Sequence, residues 1–321
     1  MMAVSDPDAT PEVHVVIPCY RVSSQILQVL SQIGPEISRI WVIDDACPEG
    51  TADIVEATIS DPRVEVLRNK ENLGVGGATK RGFALAEAAG AQVVVKMDGD
   101  GQMDADLIPA LVRPLFEGSA DYSKGNRFNS LAALKSMPRI RIFGNAVLSF
   151  WSKIATGYWS VNDPTNGFLA MSVNCYRKLE MGKVADRYFF ESDLLFRLRL
   201  SNARVTDISM NAIYGSEVSN LRIWRIILSW PFLHLRNFLG RLGYQYYLRE
   251  WSIASLELPL GIMSFSTGAW LGVTAYLSSL RIGDSVTAGQ VTVASLLVIL
   301  GTQLLLAFVN YDIASEPRSR S

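Results

Sequence analysis

Two carboxylates close the apolar run in Lys96-Met97-Asp98-Gly99-Asp100-Gly101-Gln102. Val93-Val94-Val95 reads as a buried parallel strand, so Asp98 and Asp100 fall where the chain leaves the sheet. Carboxylates two residues apart and joined by glycine can turn toward one hard cation. Mg2+ or Mn2+ takes oxygen ligands and commonly shares its shell with phosphate oxygens. An ordinary polar turn would carry the same residues, because Asp-Gly pairs make turns everywhere. What surrounds the pair decides between the two.

The elements that must position it alternate. Strands are predicted over 13–17 (ended by Pro18), 40–43, 64–67 and 93–97. Helices are predicted over 24–33, 52–60, 77–89 and 106–116, the last capped by Asp104 or Asp106. Short apolar strands alternating with helices give an α/β fold with a mostly parallel sheet covered on both faces. Ligands bind such sheets beyond the carboxyl ends of the strands. Three chemically loaded loops fall there: Pro18-Cys19-Tyr20, Asp44-Asp45 and Asp98-Gly99-Asp100. Their coincidence points to a nucleotide-type pocket.

Asn72-Leu73-Gly74-Val75-Gly76-Gly77-Ala78-Thr79-Lys80 follows a strand and opens a helix. A dinucleotide fingerprint would need glycine where Thr79 stands, and a Walker loop would need Gly-Lys-Ser/Thr. The expectation is a turn that packs a helix on the sheet and walls a nucleotide, with Lys80 beside a diphosphate, rather than a direct phosphate cradle.

Composition excludes other classes. The chain has 321 residues, a formal net charge of −1 and only two histidines, His14 and His234. No basic surplus suggests nucleic acid, and a zinc site or a histidine-based triad is not expected. Cys19, Cys47 and Cys175 lack zinc spacing and fit reduced thiols. The polar N-terminus shows no secretory segment, so the first domain is expected to stay where it is made.

The ordered motifs V-x-I-P-C-Y, V-I-D-D-A-C-P-E-G-T-A-D, N-x-G-x-G-G-A-x-x-x-G and M-D-G-D-G-Q resemble a family 2, GT-A-fold inverting glycosyltransferase over about residues 12 to 220. That resemblance implies a nucleotide-diphosphate sugar as donor. It places Pro18, Tyr20, Asp44 and Asp45 at the base and ribose, and Asp98 at donor sugar or ribose. Asp100 would hold the divalent cation, with Asp98 as a second candidate ligand, and Gln102 would lie near the sugar. Asp163-Pro164-Thr165-Asn166-Gly167-Phe168 resembles the acceptor-side loop of the polyprenyl-phosphate, dolichol-phosphate mannose synthase-like branch. Gly125-Asn126-Arg127-Phe128 resembles the segment that sets an arginine near the phosphates there. Arg127 can otherwise be read as a surface strand charge. Glu191 and Asp193 precede an apolar helix, where acids favour the dipole; in relatives with hydroxyl acceptors a carboxylate near this place is the general base. One stretch departs from the branch: Tyr214-Gly215-Ser216-Glu217-Val218-Ser219-Asn220-Leu221 lacks the expected basic pair, for which Arg222 or Arg225 would have to compensate.

Residues 259–280 and 286–309 carry no charge, and the first would span roughly 33 Å as a helix, about the hydrocarbon thickness. Only a short connection separates them, so an antiparallel transmembrane hairpin is expected. Arginines gather at its other end: Arg222, Arg225, Arg236, Arg241 and Arg249 before it, Arg318 and Arg320 after it. The positive-inside rule then puts the catalytic domain and both termini in the cytoplasm, anchored to the inner membrane by two spans. Residues 221–251 mix aromatics with arginine and suit two amphipathic interfacial helices broken at Pro231. Gln245-Tyr246-Tyr247-Leu248-Arg249-Glu250-Trp251 only approximates the Q-x-x-R-W motif of processive synthases. The expected organisation is therefore a flexible N-terminus (1–11), a catalytic domain (12–220), interfacial helices (221–255), the hairpin (256–311) and a cytoplasmic tail (312–321).

The expected activity is transfer of one sugar from a nucleotide donor to a polyprenyl-phosphate carrier, with Mg2+ or Mn2+. Transfer to a hydroxyl of a lipid-linked saccharide is the alternative within enzymes. An inactive membrane scaffold for a flippase is the alternative outside them. A homo-oligomer is possible, and nucleic acid is not an expected partner.

Overall fold

The computed structural model describes residues 11–128, 139–210 and 223–318. A seven-stranded sheet runs in the order β3-β2-β1-β4-β6-β5-β7. Its strands are β1 Val13–Cys19, β2 Arg39–Asp44, β3 Val64–Arg68, β4 Val93–Lys96, β5 Tyr122–Asn126, β6 Leu169–Ser172 and β7 Val205–Ser209. All neighbours are parallel except β6, which runs antiparallel to both β4 and β5. The helices of this unit are α1 Ile26–Gln32, α2 Thr51–Thr58, α3 Gly74–Ala88, α4 Ile108–Phe116, α5 Arg139–Thr156, α6 Val173–Tyr176 and α7 Phe190–Leu200.

Alternation along the strands splits the core in two. Val15, Ile17, Val42 and Val95 pack on one face with Ile26, Val29 and Leu111. Val16, Ile43 and Val94 pack on the other with Phe83, Leu194 and Leu198. A strand covered on both faces reads as an unbroken apolar run, which is why the parallel sheet was legible. Pro18 corrects one expectation, for β1 continues through it to Cys19. Pro18 stands opposite Ile43 of β2, while the ladder to β4 stops at Val16 and Lys96. Its missing N–H faces the side where there is nothing left to pair.

The chain divides into two compact units, one reaching to Asn237 and the other formed by Phe238–Glu316. Helix α8, Ile223–Leu242, runs without interruption through Pro231 and gives way to a π-helical turn, Gly243–Arg249. The expected break at Pro231 is thus absent, and it falls after Leu242 instead. Contacts on both sides of the proline hold α8 to the first unit: Trp230 and His234 meet the Phe189 ring edge-on, and Asn237 donates to Asp193 at 2.9 Å. Tertiary contacts of this kind outweigh one lost backbone hydrogen bond.

In the second unit α9, Ala254–Ile282, and α10, Ala288–Ala314, form an antiparallel hairpin. Thr287 and Gln290 close a reciprocal cap at the start of α10. The helices approach so closely that a Cβ on Gly268 would lie 2.8 Å from the Ala294 carbonyl oxygen. Both are long and apolar enough to cross a membrane, and their apolar windows are only 11% and 17% buried. A core helix of a water-soluble fold hides such residues; here Met263, Trp270, Val293 and Leu296 are exposed. At the other end of the hairpin Arg241 pairs with the buried Asp312 at 2.5 Å, and the Tyr246 hydroxyl donates to Asp312 at 2.6 Å.

Candidate functional site

The carboxyl ends of β1, β2 and β4 lie side by side, because the Asp45 amide donates to the Cys19 carbonyl and the Met97 amide to that of Val16. At the end of β4 a wholly buried lysine organises the site. Lys96 Nζ donates to Asp98 Oδ1 at 2.7 Å, to Glu191 Oε1 at 3.3 Å and to the Gly167 carbonyl at 3.3 Å. Burial alone would pull the Lys96 ammonium down, but the charges of Asp98 and Glu191 outweigh it and the net direction is up. Burial pushes the Glu191 carboxyl up, with Lys96 opposing. Asp98, Gly167 and Glu191, far apart in sequence, thus meet on one ammonium. There is no room for a side chain at Gly167, where a Cβ would collide with Lys96 Nζ and come within 2.7 Å of Asp98 Oδ2.

Asp100 follows in the same loop, accepting the Gln102 amide at 3.0 Å, and Gly101 supplies the left-handed φ of +75° that turns the chain there. Asp98, Asp100 and Gln102 are partly exposed. Among the described residues no three His, Cys, Asp or Glu side chains gather into a ready-made metal site. Two carboxylates on one loop still suit a Mg2+ or Mn2+ ion that takes most of its shell from phosphate oxygens and water. The donor set fits the ion.

A second cluster lies on the β5 side. Arg127 grips Asp163 with Nε and Nη2 at 2.7 and 2.9 Å, and its amide donates to the same carboxylate at 3.2 Å. Burial would raise the Asp163 carboxyl, but the bonds from Arg127 and the charge of Lys124 hold it below the ordinary range. Asn166 donates to Asp163 at 3.3 Å and accepts the Phe168 amide at 3.0 Å. Lys124, fully buried, donates to the Asp163 and Gly125 carbonyls.

A family model described as glycosyl transferase family 2 matches residues 14–179. The chain belongs to glycosyltransferase family 2. It is 25% identical to the UDP-N-acetylglucosamine–dolichyl-phosphate N-acetylglucosaminyltransferase of Methanococcus voltae, covering 69% of this chain and 93% of that one. It is 26% identical to the undecaprenyl-phosphate mannosyltransferase of Micrococcus luteus, covering 69% and 97%. The fold is that of glucosyl-3-phosphoglycerate synthase from Mycobacterium tuberculosis, solved with Mn2+, uridine-diphosphate and glucosyl-3-phosphoglycerate, at a TM-score of 0.54 and 19% identity over 73% of this chain and 80% of that one.

Other residues singled out in this family 2 chain are held by the protein itself. Asp44 accepts the Cys47 and Ala52 amides at 2.8 and 3.0 Å, closing the start of α2. Asp45 accepts the Leu73 and Gly74 amides, each at 2.8 Å, and Asn69 Nδ2 at 2.7 Å, closing the start of α3. The Gly77 amide goes to the Asp186 carbonyl, and a Cβ on Gly76 would meet Phe190 at 2.7 Å. The glycine-rich segment is therefore a close-packed turn whose amides serve protein oxygens. Lys80 donates to the Val184 carbonyl at 2.8 Å and pairs with Asp186 at 2.5 Å. Tyr20 stands exposed beyond Pro18, with the Arg21 guanidinium 5.5 Å from its ring centre.

Glu191 and Asp193 face opposite ways and meet different partners, as residues two apart on a helix do. Asp193 is buried on the far side of α7, accepting the Ala185 amide at 3.0 Å and Asn237 at 2.9 Å. Both histidines are structural: His14 Nδ1 accepts the Trp41 indole at 3.3 Å, and His234 is buried among aromatic rings. Sequence reasoning missed Lys96 and Lys124. The signal was there for Lys96, a lone charge at the end of a strand that is otherwise apolar. The departing stretch 214–221 and Arg222 lie outside the described residues.

Proposed function

We propose that the protein is a membrane-anchored inverting glycosyltransferase that moves a sugar from a nucleotide-diphosphate donor to a polyprenyl-phosphate carrier. The observation that carries the reading is the meeting of Asp98, Glu191 and Gly167 on Lys96 beside Asp100, with the Arg127–Asp163 pair on the neighbouring edge. Asp100 and Asp98 are the residues that would hold the cation, which when bound stabilises the charge on a departing diphosphate. In the transfer the bond from the anomeric carbon to the diphosphate oxygen breaks, with its electron pair leaving on the nucleotide. An acceptor phosphate oxygen forms the new bond from the opposite face.

The chain's own residues supply position and charge. A phosphate monoester has a second pKa of about 6, so near pH 7 it is already mostly a nucleophilic anion and needs no base. It needs orientation, and Arg127, fixed by its buried carboxylate, is a cation suited to that. Glu191, ion-paired to Lys96, then serves to hold Lys96 and Asp98 in register. The hairpin keeps the enzyme where a lipid-borne acceptor resides, and its flanking arginines support a cytoplasmic catalytic unit.

For transfer to a sugar hydroxyl, the buried Glu191 carboxylate at the Lys96–Asp98 cluster would be the candidate base. The deciding experiment incubates the purified full chain with Mn2+, a panel of nucleotide sugars and either polyprenyl phosphate or a lipid-linked saccharide. A polyprenyl-phosphate sugar product that falls at least about a hundredfold in Arg127→Ala is expected if two oriented charge-assisted bonds are lost. Product only with the saccharide acceptor, with Arg127→Ala mild, would move the assignment to the hydroxyl.

A further inference from the structure

Helix α5 carries an outward face that the transfer chemistry does not use. Val147, Phe150 and Trp151 fall at i, i+3 and i+4 and are 42%, 58% and 43% exposed, while Ser152, Ala155 and Thr156 behind them are buried. The helix packs against α7, which carries Glu191. It contains Arg139, Arg141 and Lys153 and no acidic residue, in a chain whose net charge is −1. It also belongs to a particular excursion. The chain leaves the sheet after β5, forms α5 and returns at Asp163, and the Arg127–Asp163 pair, 36 residues apart, closes the base. Ser149 and Lys153 pin the helix to the returning segment of that excursion through Asn162.

We infer that this face of α5 lies in the headgroup layer of an anionic bilayer and brings the acceptor-side residues to it. This rests on the membrane-anchored reading given above. Three features select a bilayer as the occupant. Tryptophan and phenylalanine on one stripe with cations and no acids on the same helix are what an interfacial helix needs. The uniform positive sign matches anionic headgroups and not a neutral surface. A second copy of the chain is disfavoured, since three residues on one stripe fall far short of the roughly 20–30 residues a side of a stable interface.

The test uses the full chain with Cys47→Ser and one introduced cysteine, Phe150→Cys or, as a control on α2, Ala57→Cys, each labelled with an environment-sensitive dye. In vesicles of phosphatidylcholine and phosphatidylglycerol, quenching by brominated acyl chains is expected at 150 and not at 57, and less of it in phosphatidylcholine alone. A second arm is Phe150→Ser with Trp151→Ser. It should raise KM for a vesicle-borne acceptor by about tenfold, as loss of interfacial apolar contact would, while donor hydrolysis stays unchanged. If the protein floats with vesicles and the dye at 150 is as unquenched as at 57, the surface assignment falls alone. Dye–dye energy transfer between copies in place of quenching would overturn it in favour of self-association. If the full chain does not float, the anchoring falls and this surface with it.

Discussion

At the scale of single residues, the weight falls on Lys96. Removing one partner of a buried charge cluster leaves the others uncompensated, which costs about 3–5 kcal/mol, whereas replacing all members with apolar groups is often neutral. Lys96→Met is therefore expected to lower the melting temperature sharply and abolish transfer. Adding Glu191→Leu should recover much of the stability and none of the activity. A Lys96→Met variant as stable as the parent would show that the cluster is not charged as drawn. Asp100 bears a different test: Asp100→Asn keeps the Gln102 contact possible and so the loop, but removes the charge proposed to hold the cation. Transfer should fall at least about a hundredfold at saturating Mn2+ with folding unchanged. Near-normal turnover would remove Asp100 from the cation site. The carboxylates themselves were legible in the sequence because acids at the end of an apolar strand stand out. Their partner Lys96 carried a signal of its own, a lone charge ending an apolar strand, but its meeting with Gly167 and Glu191, 71 and 95 residues away, did not. Asp45 was legible as a residue but not as a cap, because its amide partners lie 28 and 29 residues away, whereas those of Asp44 lie 3 and 8 residues on.

At the scale of elements, the first four strands and their helices follow from periodicity, to within a few residues at each end. The sheet order beyond β4 does not, because β6 enters antiparallel between β4 and β5 and its four residues carry no pattern of their own. Pro231 misled for a related reason, in that local propensity marks a break and the docking of α8 on Phe189 and Asp193 removes it. That docking has a measurable acid limit. His234 is buried, its ring nitrogens have no hydrogen-bond partner among the described residues, and burial pulls its pKa down to about 4 from 6.5. The unfolded chain takes a proton near pH 6.5 and the folded chain resists until about 4. Protonation thus favours unfolding, and stability present above pH 6.5 is lost as the pH falls through that window. Melting curves of the parent between pH 7 and 4 should therefore slope more steeply than those of His234→Phe, which keeps the ring and loses the titration. Parallel slopes would show that His234 is not the group responsible.

At the scale of the whole molecule, hydropathy alone found the hairpin, since two uncharged helices need no tertiary information to be recognised. What precedes it needed the structure. Helix α8 turns Trp230, His234 and Asn237 toward the first unit and leaves Phe232, Leu235 and Leu239 exposed at 69%, 46% and 57%. That outward stripe, at i, i+3 and i+7, is what the proposed interfacial helix would need, and Arg236 and Arg241 lie on the same element. Removing everything from Leu258 onward takes away the hairpin and with it Asp312, so Arg241 and Tyr246 lose their buried partner. Without that counter-charge the positive charge of Arg241 adds its attraction to anionic lipid, worth about 1 kcal/mol near the surface, to the apolar stripe. The truncated chain is accordingly expected to float with anionic vesicles at low salt and to leave them as salt screens the charge, while the full chain floats at any ionic strength. A truncated chain that stays wholly in the soluble fraction at low salt would confine membrane attachment to the hairpin and return α8 to the role of a linker.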